Sequence, residues 1–203
     1  MAWIGRCQVA EFAFIFGGPA LPDLEDPGQD YTLAVDFATN LSLPCVGVQW
    51  RVPDTAPTGT CTAALWRVSD QVLLASKTFT VGVGGALLTV SFDAAVTVVA
   101  GTNYRAGVYT PNRYVATTNF DWPHTDDPLV AGADNGWLAT ELAFPGVESG
   151  NAANYHVSPV VDIPSGDGDG VGPRRVSRSA PGRDTSARTA GRHVHQTSLG
   201  RSP

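Results

Sequence analysis

The sequence predicts an all-β protein: a two-sheet antiparallel sandwich, jelly-roll-like, of about nine strands with a disordered C-terminal tail. Three observations carry that prediction. Apolar and polar residues alternate with a period of two along several runs, as half-buried strands require. Turn-forming residues recur at short intervals between those runs. Charged residues make up only 16% of the chain, while Gly (22) and Pro (15) are abundant, a mix that favours short strands over a helical bundle. No helix longer than about two turns is expected.

The elements follow in order. Residues 9–16 form a first candidate strand. In 30–40, Tyr31, Leu33, Val35 and Phe37 alternate with Thr32, Ala34 and Asp36, which marks a strand with one buried face. Val46, Val48, Trp50 and Val52 alternate in the same way, bracketed by Pro44 and Pro53, where a missing N–H does least harm. Further candidates are 60–68, 72–80, 87–92, 104–109, 114–118 and 155–163. The run 86–100 lacks Gly and Pro, and its Val and Thr content points to two strands bent near Asp93. Gly17-Gly18-Pro19, Pro27-Gly28, Gly84-Gly85 and Pro111-Asn112 supply turns between them. Gly reaches positive φ without a Cβ clash, Pro presets φ, and Asn tolerates the left-handed region.

Two stretches break the pattern. Between 121 and 154 the alternation fades into Asp, Asn, Gly and Pro, so a long functional loop is expected. From 164 onward the chain has no aromatic residue and few large apolar ones, so it is expected to stay disordered. The domain reading is therefore a sandwich over 1–163 and a Gly/Arg/Ser-rich tail over 164–203.

The net charge of −6 conceals a division: residues 1–163 carry 6 Arg or Lys against 16 Asp or Glu, and residues 164–203 carry 7 Arg against 3 Asp. An acidic body matches a phosphate backbone poorly, which argues against sequence-specific nucleic-acid binding. The tail's arginines are loosely spaced with no aromatic between them, so a solvated tail is the preferred reading. Lys77 is the one lysine, and with abundant Ala, Gly and Arg this hints at a GC-rich genome. Cys7, Cys45 and Cys61 show no metal-ligand spacing. Buried thiols are preferred to a Cys45–Cys61 bridge. Glu11 interrupts the apolar stretch near the N-terminus, so neither a signal peptide nor a membrane span is expected.

Several stretches together resemble one family. Val99-Ala100-Gly101-Thr102-Asn103-Tyr104, Val108-Tyr109-Thr110-Pro111-Asn112 and Tyr114-Val115-Ala116 resemble the central signature of an uncharacterised β-sandwich module. That module occurs repeatedly in secreted bacterial multidomain proteins, beside immunoglobulin-like domains. The strand 31–37, the segment Thr58-Gly59-Thr60 to Leu65-Trp66 with Leu73-Leu74-Ala75, and Asp134-Asn135-Gly136-Trp137-Leu138 with Asn151-Ala152-Ala153-Asn154-Tyr155 fit it in the same order. The resemblance implies a jelly-roll-like sandwich and an extracellular setting, and it implies no activity. Where the family often places Gly-His before the aromatic, this chain has Arg113. A single copy of the module without a signal fits a bacteriophage virion component, folded in the host cytoplasm and working outside it. An extracellular or cell-surface location is the alternative.

No catalytic residue is expected. His124 and His156 are the body's histidines, with no nucleophile elbow or paired His motif near them. Asp121, Asp126, Asp127 and Asp134 are hard oxygen donors of the kind that suits Ca2+, but a solvated acidic loop is preferred and no cofactor is expected. The candidate binding residues are Tyr109, Arg113, Tyr114, Trp122 and Trp137. Trp50 and Trp66 fall on clean strands and are read as core. For Trp122 and Trp137, interaction and packing stay open. The expected function is a non-enzymatic structural module of a virion, a minor tail or accessory capsid protein contacting other subunits or itself. A module binding cell-surface glycan is the alternative, and a glycan-processing hydrolase is a distant third.

Overall fold

The computed structural model describes residues 11–13, 22, 24–133 and 135–164. The expectations for the tail, for Cys7, for Asp134 and for most of 9–16 lie outside those residues. Among the described residues there is no helix, and fourteen strands run in order. They are β1 Glu11–Ala13, β2 Leu24–Pro27, β3 Tyr31–Thr39, β4 Leu43–Arg51, β5 Thr60–Arg67, β6 Leu73–Thr80 and β7 Leu87–Val98. After these come β8 Tyr104–Thr110, β9 Arg113–Ala116, β10 His124–Asp126, β11 Leu129–Ala131, β12 Gly136–Ala139, β13 Val147–Glu148 and β14 Val157–Ile163.

Two antiparallel sheets pack face to face, as the alternation predicts. Sheet I has the order β1-β14-β4-β7, and sheet II runs β10-β11-β3-β8-β5-β6. A small ribbon, β2-β9, stands beside them. The core fills the gap with Leu33, Val35, Phe37, Leu65 and Val108 from sheet II and Val48, Trp50, Val98 and Val157 from sheet I. Trp50 is fully buried, with Phe79 meeting it edge-on at 6.3 Å.

The structure departs from the sequence reading in three places. Pro44 lies inside β4, opposite Thr97, instead of before it. The stretch 87–98 is one strand, not two. Gly47 faces Ser91 while Cys45 faces Val96, so Phe92 to Ala95 bulge out of the ladder near the expected bend. The bulge lets both halves of β7 keep Val90, Phe92 and Val98 buried.

The largest departure is 121–154, which carries β10 to β13 instead of one long loop. The cause is the unpaired edge of β3. One half of that edge pairs with β11 (Val130 opposite Ala38), and the other half pairs with β12 (Trp137 opposite Ala34). Strands of three or four residues are too short for alternation to show, and Pro128 and the glycines mask them further.

Candidate interaction surface

The junction between β11 and β12 explains the Asn135-Gly136-Trp137 stretch. Asn135, almost fully buried, fills the break in the ladder with its side-chain amide. Its Oδ1 accepts the Asp36 N–H at 2.6 Å, and its Nδ2 donates to the Asp36 carbonyl at 2.5 Å. The amide thus stands in for the missing strand residue. Gly136 follows because a Cβ there would run into the Ala153 carbonyl.

Asp36 and Trp137 both serve Arg105. Asp36 takes the guanidinium with both oxygens, Arg105 Nη2 to Oδ2 at 2.7 Å and Nε to Oδ1. Nη1 donates to the Pro145 carbonyl. The guanidinium carbon sits 3.8 Å from the Trp137 ring centre and 4.6 Å from that of Phe144. Phe144 also meets Trp66 edge-on at 6.3 Å. Gly107 leaves room for the Trp66 ring, since a Cβ there would approach Trp66, Ala34 and the Leu33 carbonyl at about 3.0 Å. The segment 140–146 therefore folds back over the outer face of sheet II, where Thr32 Oγ1 donates to the Glu141 carbonyl at 2.6 Å. Trp137 is half-buried beneath a cation–π stack. A cavity of about 140 Å³ beside it, lined by Asp36, Asn103, Val130 and Asn135 among others, is smaller than the roughly 300–1,000 Å³ of a small-molecule pocket.

The remaining candidate residues lie elsewhere. Tyr109 donates its hydroxyl to Asp30 Oδ2 at 2.9 Å, a bond that pushes its pKa up. Asp30 also accepts the Asn112 N–H at 3.1 Å, so it ties down the β8–β9 turn. Arg113 pairs with Glu25 at 3.4 Å, and Glu25 in turn accepts the backbone N–H groups of Asp54 and Thr55. Tyr114 stands between Tyr31 and Tyr155, edge-on at 5.5 and 5.9 Å. Trp122 is half-buried against the core and meets Phe120 at a tilt, with ring centres 4.7 Å apart. By strand alternation Trp137 belongs to the outer face of sheet II, whereas Tyr114 and Trp122 pack on the core. The five side chains are not gathered into one platform.

The titratable groups are also used structurally. His156, at positive φ before β14, is buried, and its Nε2 lies 2.9 Å from Thr117 Oγ1. Cys45 and Cys61 are free and buried, and burial pushes their thiols up to about 12 and about 11. Asp127 accepts the Asn40 side-chain N–H at 2.5 Å. Among the described residues no three His, Cys, Asp or Glu side chains converge to hold a metal ion, Asp121, Asp126 and Asp127 included.

One surface escaped the sequence reading: the flank formed by β6 and β7. Among the described residues each ends its sheet, and the two strands lie against each other across the sandwich. They run 8 and 12 residues; among the described residues the opposite flank of sheet II offers β10 and β13, of three and two residues. The only charges on β6 and β7 are Lys77 and Asp93, which pair with each other. Val72 and Leu73 at the entry to β6 are exposed, as are Val83 and Leu87 where the chain crosses to β7. The signal lies in the composition: Lys77 and Asp93 are the only charged residues between 71 and 104.

Comparison with known proteins adds a family. A family model described as a domain of unknown function, DUF4082, matches residues 19–157. No curated protein matches the chain.

Proposed function

The chain belongs to the DUF4082 family of domains of unknown function, and on that premise we propose that it works by binding and assembly, not catalysis, as a minor tail or accessory capsid protein of a bacteriophage particle. The observation that carries this reading is the β6/β7 flank. Sheet edges present unpaired N–H and C=O groups, and proteins that stay alone blunt them with short strands, charges or Pro. Among the described residues, the opposite flank of sheet II is blunted by the short strands β10 and β13. The β6/β7 flank is long, free of Pro and without net charge.

Two features add support. Arg105, Arg113, Arg67 and Lys77 are each paired with a carboxylate, so these four cations serve the architecture. The family-like motifs are likewise spent on the fold, through Asn135 in the β3 ladder, Trp137 on Arg105 and Tyr155 on Tyr114. A single lysine among 13 basic residues, with abundant Gly, fits a GC-rich genome, and the particle setting is open to a direct test. Mass spectrometry of particles purified from a strain carrying the gene tests it. Several copies per particle are expected, and absence from intact particles overturns the reading.

One observation favours glycan binding as the second reading. Phe120 and Trp122 both keep part of their ring surface exposed, and a sugar's apolar face stacks on such rings. Retention on a glycan array that is lost in Trp122→Ala, with folding intact, would favour it over assembly.

A further inference from the structure

We propose that Asn135 is a site of spontaneous deamidation which the fold holds closed, so that a chain left unfolded loses the means to complete the edge of β3. Deamidation needs a nucleophile beside the side-chain amide, and the backbone nitrogen of the next residue is that nucleophile. A glycine there has no Cβ to block the approach and reaches the required backbone angles freely. Asn135 is the one asparagine in the chain that a glycine follows. The Gly136 nitrogen bonds to Asn135 Cγ and gives up its proton, the Cγ–Nδ2 bond breaks, and Nδ2 leaves as ammonia. Water then opens the succinimide at either of its two carbonyls. One product is aspartate; the other is isoaspartate, whose main chain runs through Cγ and is longer by a methylene.

Asn135 is 1% exposed. Its amide is held flat between the N–H and the carbonyl of Asp36, at 2.6 and 2.5 Å, and attack would make Cγ tetrahedral and break both bonds. Gly136 is fixed as well. Its carbonyl accepts the Ser149 N–H at 2.7 Å, and a Cβ on it would stand 2.2 Å from the Ala153 carbonyl oxygen. The reaction therefore waits for β12 to open from β3. The same contacts fix the labile pair in the sequence. Position 135 needs a donor and an acceptor at the end of a short side chain, which is the asparagine amide, and position 136 has no room for a side chain.

Neither product restores the junction. Aspartate keeps an acceptor for the Asp36 N–H but sets its second oxygen against the Asp36 carbonyl, and it adds a charge where the asparagine was buried. Isoaspartate lengthens the main chain at the entry to β12, so the register that sets Gly136 opposite Val35 and Trp137 opposite Ala34 is lost. Both changes fall on Asp36, the residue whose carboxylate holds Arg105. Folding and modification thus compete for an unfolded chain, and the modified chain does not return to the native fold.

Ageing the purified full chain at mildly alkaline pH tests this, with thiols kept reduced, once folded and once in guanidinium chloride. Peptide mapping by mass spectrometry reads the replacement of –NH2 by –OH at position 135. The folded chain deamidates there at least tenfold more slowly, because the amide reacts only from an opened state. On dilution from denaturant, the aged sample recovers less native structure than one held in the same denaturant at mildly acidic pH, where the backbone nitrogen keeps its proton. The unrecovered fraction matches the fraction modified at Asn135. Asn135→Asp, made in the chain from the start, lowers the melting midpoint and raises proteolytic cleavage within 140–146. If that variant does not fold at all, the two ageing measurements on the wild-type chain decide. Equal rates in the folded and denatured chain, a modified chain that refolds in full, or an Asn135→Asp variant that melts and resists protease like the wild type overturns the proposal.

Discussion

The two faces of sheet II are both buried, by different physics. The inner face meets sheet I through Leu33, Phe37, Leu65 and Val108, where apolar area leaves water and direction matters little. The outer face buries Ala34, Ala64, Trp66 and Arg105 beneath a single folded-back segment. There a guanidinium is held in plane by Asp36 and stacked between Trp137 and Phe144. Burial of an ion requires a partner for each of its donors, so the outer face depends on geometry where the inner face depends on volume. A residue's exposure alone does not tell the two apart.

The sharpest break in that comparison comes from truncating each face. Trp50→Ala on the inner side should cost about 3–5 kcal/mol, the transfer energy of the ring plus the cavity it leaves. Denaturant unfolding reads this directly, and a cost under about 1 kcal/mol would mean that the core collapses onto the gap. Arg105→Met should cost about 2–3 kcal/mol, less than a fully buried pair, because the Asp36 side chain is 24% exposed and water compensates part of its lost partner. Replacing Asp36 as well, with Leu, should recover about half of that loss or more, since it is the unpaired charge that is costly. If the double variant is no better than the single, the contribution lies in the Arg105 stack and not in the ion pair.

Trp137→Ala should cost about 1–2 kcal/mol, the value of a partly desolvated cation–π contact with its packing. It should also raise proteolytic cleavage within 140–146. Unchanged protection there would mean that the segment is held without its stack.

The smallest effect separates the faces by pH. Burial raises the thiols of Cys45 and Cys61 from 9.0 to about 12 and about 11. A group whose folded pKa is raised contributes stability below its unfolded value and loses it as pH climbs toward the folded value. The melting midpoint should therefore fall from about pH 9 upward, by a few degrees at pH 10. The decline should be shallower in Cys45→Ala. An equal decline in that variant would assign the effect to other groups, such as the buried Tyr155, whose pKa is also raised by burial.

Much of the inner face is legible in the sequence. Leu33, Val35 and Phe37, and Val48, Trp50 and Val52, face the core as their alternation predicts, a periodicity written locally. Val46, by contrast, falls at the register shift of β4 and is half-exposed. The bend near Asp93 is legible too, through Val and Thr without Gly or Pro, although it is a bulge within one strand. Tyr109, Arg113 and Tyr114 stand out for their chemistry. Their partners Asp30, Glu25 and Tyr155 lie 79, 88 and 41 residues away in sequence, and no local pattern connects such pairs.

Residue order alone is enough for the all-β class, the paths of β3, β5 and β8, the core position of Trp50 and the buried thiols of Cys45 and Cys61, because each follows from a period of two or from side-chain type. Trp66, also read as core, is instead buried on the outer face of sheet II against Phe144. Tertiary structure decided that β3 has its edge completed by β11, Asn135 and β12, and that Arg105 is caged on a face which alternation would assign to solvent. It also decided that the uncharged residues of 71–104 come to lie along one flank. These depend on contacts between distant segments, and a contact of that kind is energetically real only once loop closure has brought its partners together.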